Sequence, residues 1–371
     1  MNTLAVIGAS YLQKPLVLKA KEMGLRVICF AWQEGAVCKE IADRFYPVSI
    51  IEKEQILDIC QEEKITGICT IASDTASPTV SYVAEKMGLN GNSYKTAVCA
   101  NDKYLMRNAF SSARIRCPRY SRIREGESFD PAGWIFPLIA KPCDRSGSLG
   151  VKRVDSAVEL ENAIKEAQVF SFKREAIVEE YIEGREISVE FISYKGTHHS
   201  LAITDKVTTG APHFVELEHH QPAKLSKVQY EAIYRTTETA LDALGITNGA
   251  SHTEYRIKDN GDIVILELGA RMGGDFIGSD LVRLSTGYDF VRGVIEVALG
   301  TFSKPLFTRA MHSGVFFLCK ETERLLPIFE NPSQYSSIVA LGMQNPVLKS
   351  VRCSADRSGF IIYQSDKRVL L

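Results

Sequence analysis

The chain lacks a charge bias, a long apolar run and a paired-cysteine motif. Its 44 basic and 45 acidic residues give a net charge of −1 over 371 residues, so neither a basic nucleic-acid surface nor an acidic tail is indicated. Its apolar runs are strand-sized, far below the roughly 20 residues that a membrane-spanning helix requires. We therefore expect a soluble protein that acts on small molecules, with no nucleic acid and no membrane as partner.

The nine cysteines are scattered, with no Cys-x-x-Cys pair and no secretory signal before them. This pattern predicts reduced thiols in a cytoplasmic protein. A chain of 371 residues is too long for one ordinary core and indicates two or three domains. We place the domain boundaries so that residues 1–100, 101–303 and 304–371 form separate units.

The first hundred residues alternate between apolar strands, at 3–9, 25–31 and 65–72, and helical stretches. This alternation predicts a parallel sheet flanked by helices, as in a Rossmann-like domain. The turn at Gly8 lacks the full Gly-x-Gly-x-x-Gly fingerprint, which disfavours a dinucleotide site there. Asp74 and Thr75 follow the third strand, where open α/β sheets bind ligands, so a substrate-side role stays open for them.

A polar loop separates two short strands between residues 139 and 154. Its glycines permit positive φ and its successive amides can form an anion-binding concavity. Lys141, at the end of the first strand, would add a positive charge. The alternative is an ordinary surface hairpin. The candidate phosphate-binding residues of the loop are Ser146, Gly147, Ser148 and Gly150.

A capping box at Ser156–Glu159 predicts the start of a helix, and a strand at 176–178 follows it and ends in an acidic turn. The next strand, 186–194, places Glu186 and Glu190 on one face. Acidic residues on a strand face are usually exposed to solvent. Glu186 could alternatively present its carboxylate to a ribose.

A polar stretch at 208–225 carries His213, His219 and His220, and we predict it to be a functional loop. Zinc binding by these histidines is disfavoured, because two of them are adjacent and cysteine partners are lacking. An amphipathic helix at 227–244 follows.

The strongest hairpin signal joins strands at 249–258 and 263–268. A two-residue turn at Asn260 and Gly261 places Glu254 directly opposite Glu267. Directly opposed Cβ atoms lie about 4.5 to 5.5 Å apart, where two carboxylates repel unless a positive charge lies between them. Oxygen ligands of this kind suit Mg²⁺ together with substrate phosphates. The alternative is a pair tolerated on a wet sheet face or neutralised by Arg256.

The turn at 269–274 places the bidentate donor fork of Arg271 just beyond these carboxylates. A helical stretch at 280–299, interrupted near Gly287, comes next. Strands predicted at 313–319 and 347–352, with a last hairpin from Arg357, indicate a small C-terminal β-rich lobe.

In their order and spacing, these stretches resemble the ATP-grasp superfamily, the carboxylate–amine ligases related to biotin carboxylase, carbamoyl phosphate synthetase and D-alanine:D-alanine ligase. The resemblance covers about residues 101–300 and implies an α/β (α+β) ATP-grasp fold. It also implies an N-terminal Rossmann-like pre-ATP-grasp domain, a lid subdomain at about 115–183 and a small C-terminal β-rich lobe. The implied site residues are Lys103 and Lys141 as ATP lysines, residues 146–150 as the lid, Glu179, Glu180, Tyr181 and Ile182 as the adenine hinge, Glu186 as the ribose acid, Glu254 and Glu267 as metal carboxylates, and Arg271 beside the transferred phosphate.

The sequence departs from the family pattern at one position. The family commonly has Glu-x-Asn-x-Arg at the end of the hairpin, and here the middle residue is Gly269, which puts the number of bound metal ions in doubt. His252 and Glu254 form a His-x-Glu pattern that favours the amino-acid ligase branch. We expect His252 to be a hydrogen-bonded supporting residue rather than a catalytic one.

The resemblance implies an ATP-dependent ligase that activates a small carboxylate, an amino acid in our prediction, as an acyl phosphate and couples it to an amine. Its cofactors would be ATP and Mg²⁺, or Mn²⁺ in its place, with Lys141 and Arg271 as catalytic residues. The chain could pair with a second copy as a homodimer. Two alternatives stay open: an enzyme that uses bicarbonate for carboxylation or carbamoyl transfer, and a nucleotide-binding subunit without turnover.

Overall fold

The computed structural model describes residues 1–371, and its strands form three sheets. None of its helices combines the length and the apolar character that crossing a membrane requires. The first sheet is parallel, with strand order β3-β2-β1-β4. Its elements are β1 (Thr3–Ile7), α1 (Lys14–Glu22), β2 (Arg26–Phe30), β3 (Arg44–Tyr46), α2 (Lys53–Glu62), β4 (Gly67–Cys69) and α3 (Ser77–Met87). The predicted strand–helix alternation is confirmed, and β3 is an addition to it.

The second sheet is small and antiparallel, with order β5-β8-β6-β7. The helices α4 (Tyr94–Asn101) and α5 (Lys103–Ser112) precede it, and α4 was not predicted. Apolar side chains of helix α6 (Ala157–Phe170), among them Leu160 and Ile164, pack on this second sheet. Its elements are β5 (Tyr120–Arg124), β6 (Leu138–Pro142), β7 (Lys152–Val154), α6 (Ala157–Phe170) and β8 (Glu175–Glu180).

The predicted hairpin of β6 and β7 is confirmed, as is helix α6. The predicted capping box of that helix is wrong. Ser156 makes no capping hydrogen bond, and the Glu159 carboxylate accepts from the backbone N–H of Asp155 at 3.1 Å instead. The Glu159 side chain therefore bonds to the residue before the N-cap and not to the N-cap residue itself.

The third sheet has eight strands in the order β13-β12-β9-β10-β11-β14-β16-β15. Its strands are β9 (Arg185–Tyr194), β10 (Thr197–Thr208), β11 (Glu216–Gln221), β12 (Gly249–Ile257), β13 (Ile263–Gly269), β14 (His312–Leu318), β15 (Ile338–Met343) and β16 (Gly359–Ser365). Its helices are α7 (Lys227–Leu244), α8 (Val282–Thr286), α9 (Phe290–Leu299) and α10 (Leu326–Glu330). The break predicted near Gly287 separates α8 from α9.

The prediction of one long loop at 208–225 is wrong, because strand β11 interrupts it at residues 216–221. This strand pairs with β10 on one side and β14 on the other, which buries His219 and His220. The sheet tolerates His220 because its Nδ1 lies 2.8 Å from the hydroxyl of Tyr363 and its Nε2 lies 3.0 Å from the Glu218 carboxylate.

The C-terminal region is β-rich, as expected, and its strands extend the third sheet. β14 matches its prediction, whereas the strand predicted at 347–352 is irregular and largely exposed. The strand that pairs there is β15, a half-exposed edge strand, alongside β16. An edge strand lacks the buried apolar run on which the prediction relied.

The first sheet shares a core with the third. Val6, Leu16 and Val27 pack in one cluster with Val294 and Ile295 of α9. Fully burying such a side chain contributes about 1.5 to 3 kcal/mol. The shared core therefore holds the carboxyl ends of β1 and β4 firmly against the segment that follows β13.

Candidate active site

Lys141, one of the two predicted ATP lysines, lies between the small sheet and helix α5. The Nζ atom of Lys141, on β6, is 2.7 Å from Oε2 of Glu179, and the Nε atom of Arg107 is 2.7 Å from Oε1 of the same carboxylate. Burial alone would raise the pKa of Glu179, but Arg107 and Lys141 outweigh it and lower the pKa. For Lys141, burial outweighs the neighbouring Glu179 and lowers its pKa. The predicted hinge residue Glu179 thus holds the predicted ATP lysine.

Arg107 was not predicted from the sequence as a site residue. Its side chain is fully buried, and its Nη1 and Nη2 atoms have no hydrogen-bond acceptor. The one signal in the sequence is its position one helical turn after Lys103.

Lys103 connects three parts of the site. Its Nζ atom is 3.0 Å from Oε1 of Glu267 and donates to the backbone oxygen of Arg145, at the root of the lid, at 2.6 Å. Burial alone would lower the pKa of Lys103, but Glu267 and more distant carboxylates outweigh it and raise the pKa. The lysine starts α5, whose first turn is capped by Asp102, so its backbone is fixed.

Glu254 and Glu267 are directly opposed, as predicted. The agreement is partly fortuitous, because two errors in the predicted hairpin register cancel. The turn is longer than predicted, with Lys258 N–H donating to Asp262 O at 2.9 Å, and a bulge in β13 between the partners of Glu254 and Tyr255 restores the register. The alternative partner Arg256 contacts neither carboxylate and instead pairs with Glu186 at 2.7 Å.

Lys206 neutralises Glu254, one of the two opposed carboxylates, and was not predicted from the sequence. Its Nζ atom is 2.6 Å from Glu254 and 2.8 Å from Glu186. Burial alone would lower the pKa of Lys206, but Glu186, Glu254 and Glu216 outweigh it and raise the pKa well above its ordinary value. The lysine lies directly opposite Glu186 in the pairing of β10 with β9. The predicted ribose acid and a predicted metal carboxylate therefore share one lysine.

The two carboxylates have the chemistry of a Mg²⁺ site, since both offer hard oxygen atoms. No group of three or more His, Cys, Asp and Glu side chains could hold a metal ion between them. A cation at Glu254 and Glu267 would therefore take its other ligands from water and nucleotide phosphates, as Mg²⁺ commonly does.

The loop predicted as a lid connects β6 to β7 and is largely exposed. Gly147, Ser148 and Leu149 are exposed, whereas Asp144 at its root is buried and accepts backbone hydrogen bonds at 3.1 and 3.0 Å from the segment after α6. Gly147 and Gly150 have φ of 64° and 72°, which favours glycine at both positions. The loop thus has a fixed root and a free tip, with Ser146 between them.

We expect the lid tip to become ordered over a nucleotide. Backbone amides of residues 145–151 should exchange hydrogen more slowly in the presence of ATP and Mg²⁺, because phosphate oxygens would accept from them. Hydrogen-exchange mass spectrometry measures this protection, and the exposed edge strand β15 provides a control peptide. Unchanged exchange at the lid under saturating nucleotide would contradict the phosphate-binding role.

The predicted adenine hinge lies where the chain passes from the small sheet to the large one. β8 ends at Glu180 and β9 begins at Arg185. Glu180 is exposed, Ile182 is buried, and the ring of Tyr181 lies 6.2 Å from that of Phe214. The predicted hinge thus connects the small sheet to the strand that carries Glu186.

His252 has the supporting position that was expected. Its Nδ1 atom is hydrogen-bonded to Glu190, and its Nε2 atom lies 3.4 Å from Oε1 of Glu254. Burial alone would lower the pKa of His252, but Glu190 and Glu254 outweigh it and raise the pKa to about 9. The expectation that the acidic residues on this face of β9 are exposed is wrong for Glu190, which is fully buried.

Arg271 lies at the turn after β13 and forms a bidentate ion pair with Asp74, the residue noted after the third predicted strand. Nε to Oδ1 and Nη2 to Oδ2 are both 2.8 Å. The structure therefore brings Lys103, Glu254, Glu267 and Arg271 to one region and adds Asp74 from the turn after β4.

Comparison with known proteins bears on the fold of the chain. Residues 134–280 match the family model described as the ATP-grasp domain. The L-amino acid ligase from Bacillus licheniformis superposes with a TM-score of 0.82 at 23% identity, covering 99% of this chain and 94% of that one. The chain contains an ATP-grasp domain, and its overall fold is that of an ATP-grasp protein.

Curated relatives include two ligases. The chain is 26% identical over 302 residues to the alanine–anticapsin ligase of Bacillus subtilis, a match that spans 71% of this chain and 64% of that ligase. It is also 26% identical over 254 residues to the D-alanine–D-alanine ligase of Geobacter sulfurreducens, across 64% of this chain and 78% of that enzyme.

Proposed function

We propose that this protein is an ATP-dependent carboxylate–amine ligase whose carboxylate substrate is an amino acid. The observation that supports this most is the Lys103–Glu267 contact, which joins a predicted ATP lysine to a predicted metal carboxylate from a distant part of the chain. Glu254 stands directly opposite that carboxylate, and Arg271 follows it in the next turn. Such an arrangement can neutralise a triphosphate and receive a transferred phosphoryl group.

The proposed reaction has two steps. An oxygen of the substrate carboxylate attacks the γ-phosphorus of ATP, so the bond to ADP breaks and an acyl phosphate forms. The amine then attacks the acyl carbon, loses a proton to solvent and expels inorganic phosphate, which leaves an amide. Mg²⁺ held by Glu254 and Glu267 would supply charge neutralisation at the phosphates.

The chain's own residues would act by position and charge. Lys141 and Lys103 would neutralise phosphate oxygens, and the amides of residues 146–150 would donate to them while excluding water. Arg271 would hold the transferred phosphoryl group with its planar donor fork. No side chain is required as a nucleophile.

A cleft beside Arg271 is the proposed place of the amino-acid side chain. Its enclosed part is small, about 30 Å³, and the rest of the recess is open to solvent. It lies outside the carboxyl ends of β1 and β4, where the strand order of the first sheet reverses, the usual ligand position in open α/β sheets. Its apolar lining residues include Tyr11, Leu12, Pro15, Ile71, Met272 and Phe276. A small apolar side chain seated at the mouth of this cleft would direct the amino-acid carboxylate towards Arg271, the residue before Met272 of the lining.

Paired amino acids are the substrates expected to release ADP and phosphate. With Mg²⁺-ATP and a panel of amino acids tested singly and in pairs, we expect stoichiometric ADP and phosphate, highest when one member has an apolar side chain. Bicarbonate should have no effect. Measurement is by coupled ADP and phosphate assays, with the product amide identified by mass spectrometry.

The outcomes separate the alternatives. Turnover that depends on bicarbonate would favour the carboxylating or carbamoylating enzyme. ADP binding without turnover for any pair would favour the nucleotide-binding subunit. The domain boundaries near residues 100 and 303, and a homodimeric assembly, stay predictions.

A further inference from the structure

Asp74 lies in the turn between β4 and α3, yet it contacts the turn that carries Arg271. Besides the bidentate pair, two hydrogen bonds flank it. These are the Ala72 N–H to Met272 O bond at 3.1 Å and the Ser77 Oγ to Ala270 O bond at 2.9 Å. Asp74 is therefore fixed against this turn by bonds on either side.

The pair is charged and shielded from solvent. Asp74 is 8% exposed, and the side chain of Arg271 is 16% exposed. Burial alone would raise the pKa of Asp74, but the adjacent guanidinium outweighs it and lowers the pKa. Both groups therefore hold their charges at neutral pH, and the fork of Arg271 is fixed in one plane.

The pairing leaves the outer edge of the guanidinium available. Asp74 takes the Nε–H and one N–H of Nη2, and Nη1 makes a long contact of 3.4 Å to Met272 O. A guanidinium has five N–H donors, so donors on Nη1 and Nη2 stay free for a second bidentate partner. A phosphoryl or carboxylate group fits that edge.

Asp74 also explains Gly269. A Cβ atom built at Gly269 would lie 2.5 Å from Oδ1 of Asp74 and 3.2 Å from Nε of Arg271. Gly269 is not among the glycines with positive φ, so its backbone would accept another residue. The space that a side chain at 269 would use, next to Arg271, is already filled by the carboxylate of Asp74.

We propose that Asp74 is the positioning residue for Arg271 and that it replaces the side chain absent at Gly269. The active site is thus completed by the turn after β4 rather than by the hairpin alone. This inference rests on the proposed function, in which Arg271 holds the transferred phosphoryl group.

Moving the carboxylate from position 74 to position 269 tests the proposal. Asp74→Ala should lower kcat by about 100-fold, because a misplaced catalytic group costs about that much. KM for ATP should change little, since Lys141, Lys103 and the lid would still hold the nucleotide in the proposed mechanism. Gly269→Asp alone should also be impaired, because its side chain collides with Asp74. The double variant Asp74→Ala/Gly269→Asp should regain most of kcat, because its carboxylate enters the vacated space beside Arg271.

Thermal unfolding of the same four proteins separates positioning from stability. Recovery of kcat in the double variant beyond either single variant supports the proposal. Full activity of Asp74→Ala overturns it, as does a double variant that regains its melting temperature but not kcat. If the parent protein forms no ADP with any substrate pair, the proposed function itself is wrong. If the parent is active and Asp74→Ala has the same kcat, only the positioning role of Asp74 is wrong.

Discussion

Glu267→Gln is expected to reduce ADP formation by at least about 100-fold, the scale on which removing one preorganised electrostatic group slows catalysis. The amide keeps the shape of the side chain but loses the charge that would face a cation. It also deprives Lys103 of its carboxylate partner at 3.0 Å. ADP release is measured under the substrate pair that gives the highest parent rate.

The same substitution should destabilise the protein in the absence of nucleotide. Two directly opposed carboxylates alone would predict the reverse, a gain of up to about 1 kcal/mol once their repulsion is relieved. The structure changes the sign, because Lys206 neutralises Glu254 and Lys103 neutralises Glu267. Leaving the buried Lys103 without its charged partner should cost about 1 to 3 kcal/mol in the free energy of unfolding.

A matched control is available on the same hairpin. Asp262→Asn also neutralises an acidic residue, one that pairs with Arg116 at the far end of the strands at 2.8 Å. That variant should be as active as the parent protein. Its melting temperature should also rise as much as that of the parent when Mg²⁺ and a non-hydrolysable ATP analogue are added. Glu267→Gln should show a much smaller rise, by ligand linkage. Parent activity and a parent rise in Glu267→Gln would place the cation site elsewhere.

Local patterns in the sequence predicted the scaffold of the site well. Strand alternation with helices predicted the first sheet, and the helix at 227–244 begins and ends as expected, with Gly245 in the left-handed conformation after it. The Asn-Gly turn predicted the Glu254–Glu267 pairing, although a longer turn and a bulge each shifted the register by one residue. Such shifts depend on side-chain packing and have no signature in a single strand.

The charges that neutralise the site could not be predicted in the same way. Lys206 contacts Glu186 and Glu254 because β10 pairs with β9, and β9 with β12, across a bulge near Leu201. Arg107 enters from helix α5, and Asp74 enters from the turn after β4. Contacts between distant segments depend on the assembled fold and cannot be inferred from one strand. The carboxylate-rich face of β9 was therefore interpreted as exposed, because the cations that neutralise it come from other parts of the chain.

Lys141→Met is expected to lower ADP formation by about 100-fold or more while leaving the fold intact, because it removes a charge that the proposed mechanism requires at the phosphates. Glu179 would keep Arg107 as a partner at 2.7 Å, so no carboxylate is left buried alone. Methionine is unbranched and can fill the space of the lysine stem. Lys152→Met, on the neighbouring strand β7 and half-exposed, is the matched control and should behave as the parent. Circular dichroism and urea unfolding establish that both variants fold, and ADP release then compares them. Equal ADP release from the two folded variants would remove Lys141 from the active site and leave its bond to Glu179 as a purely structural contact.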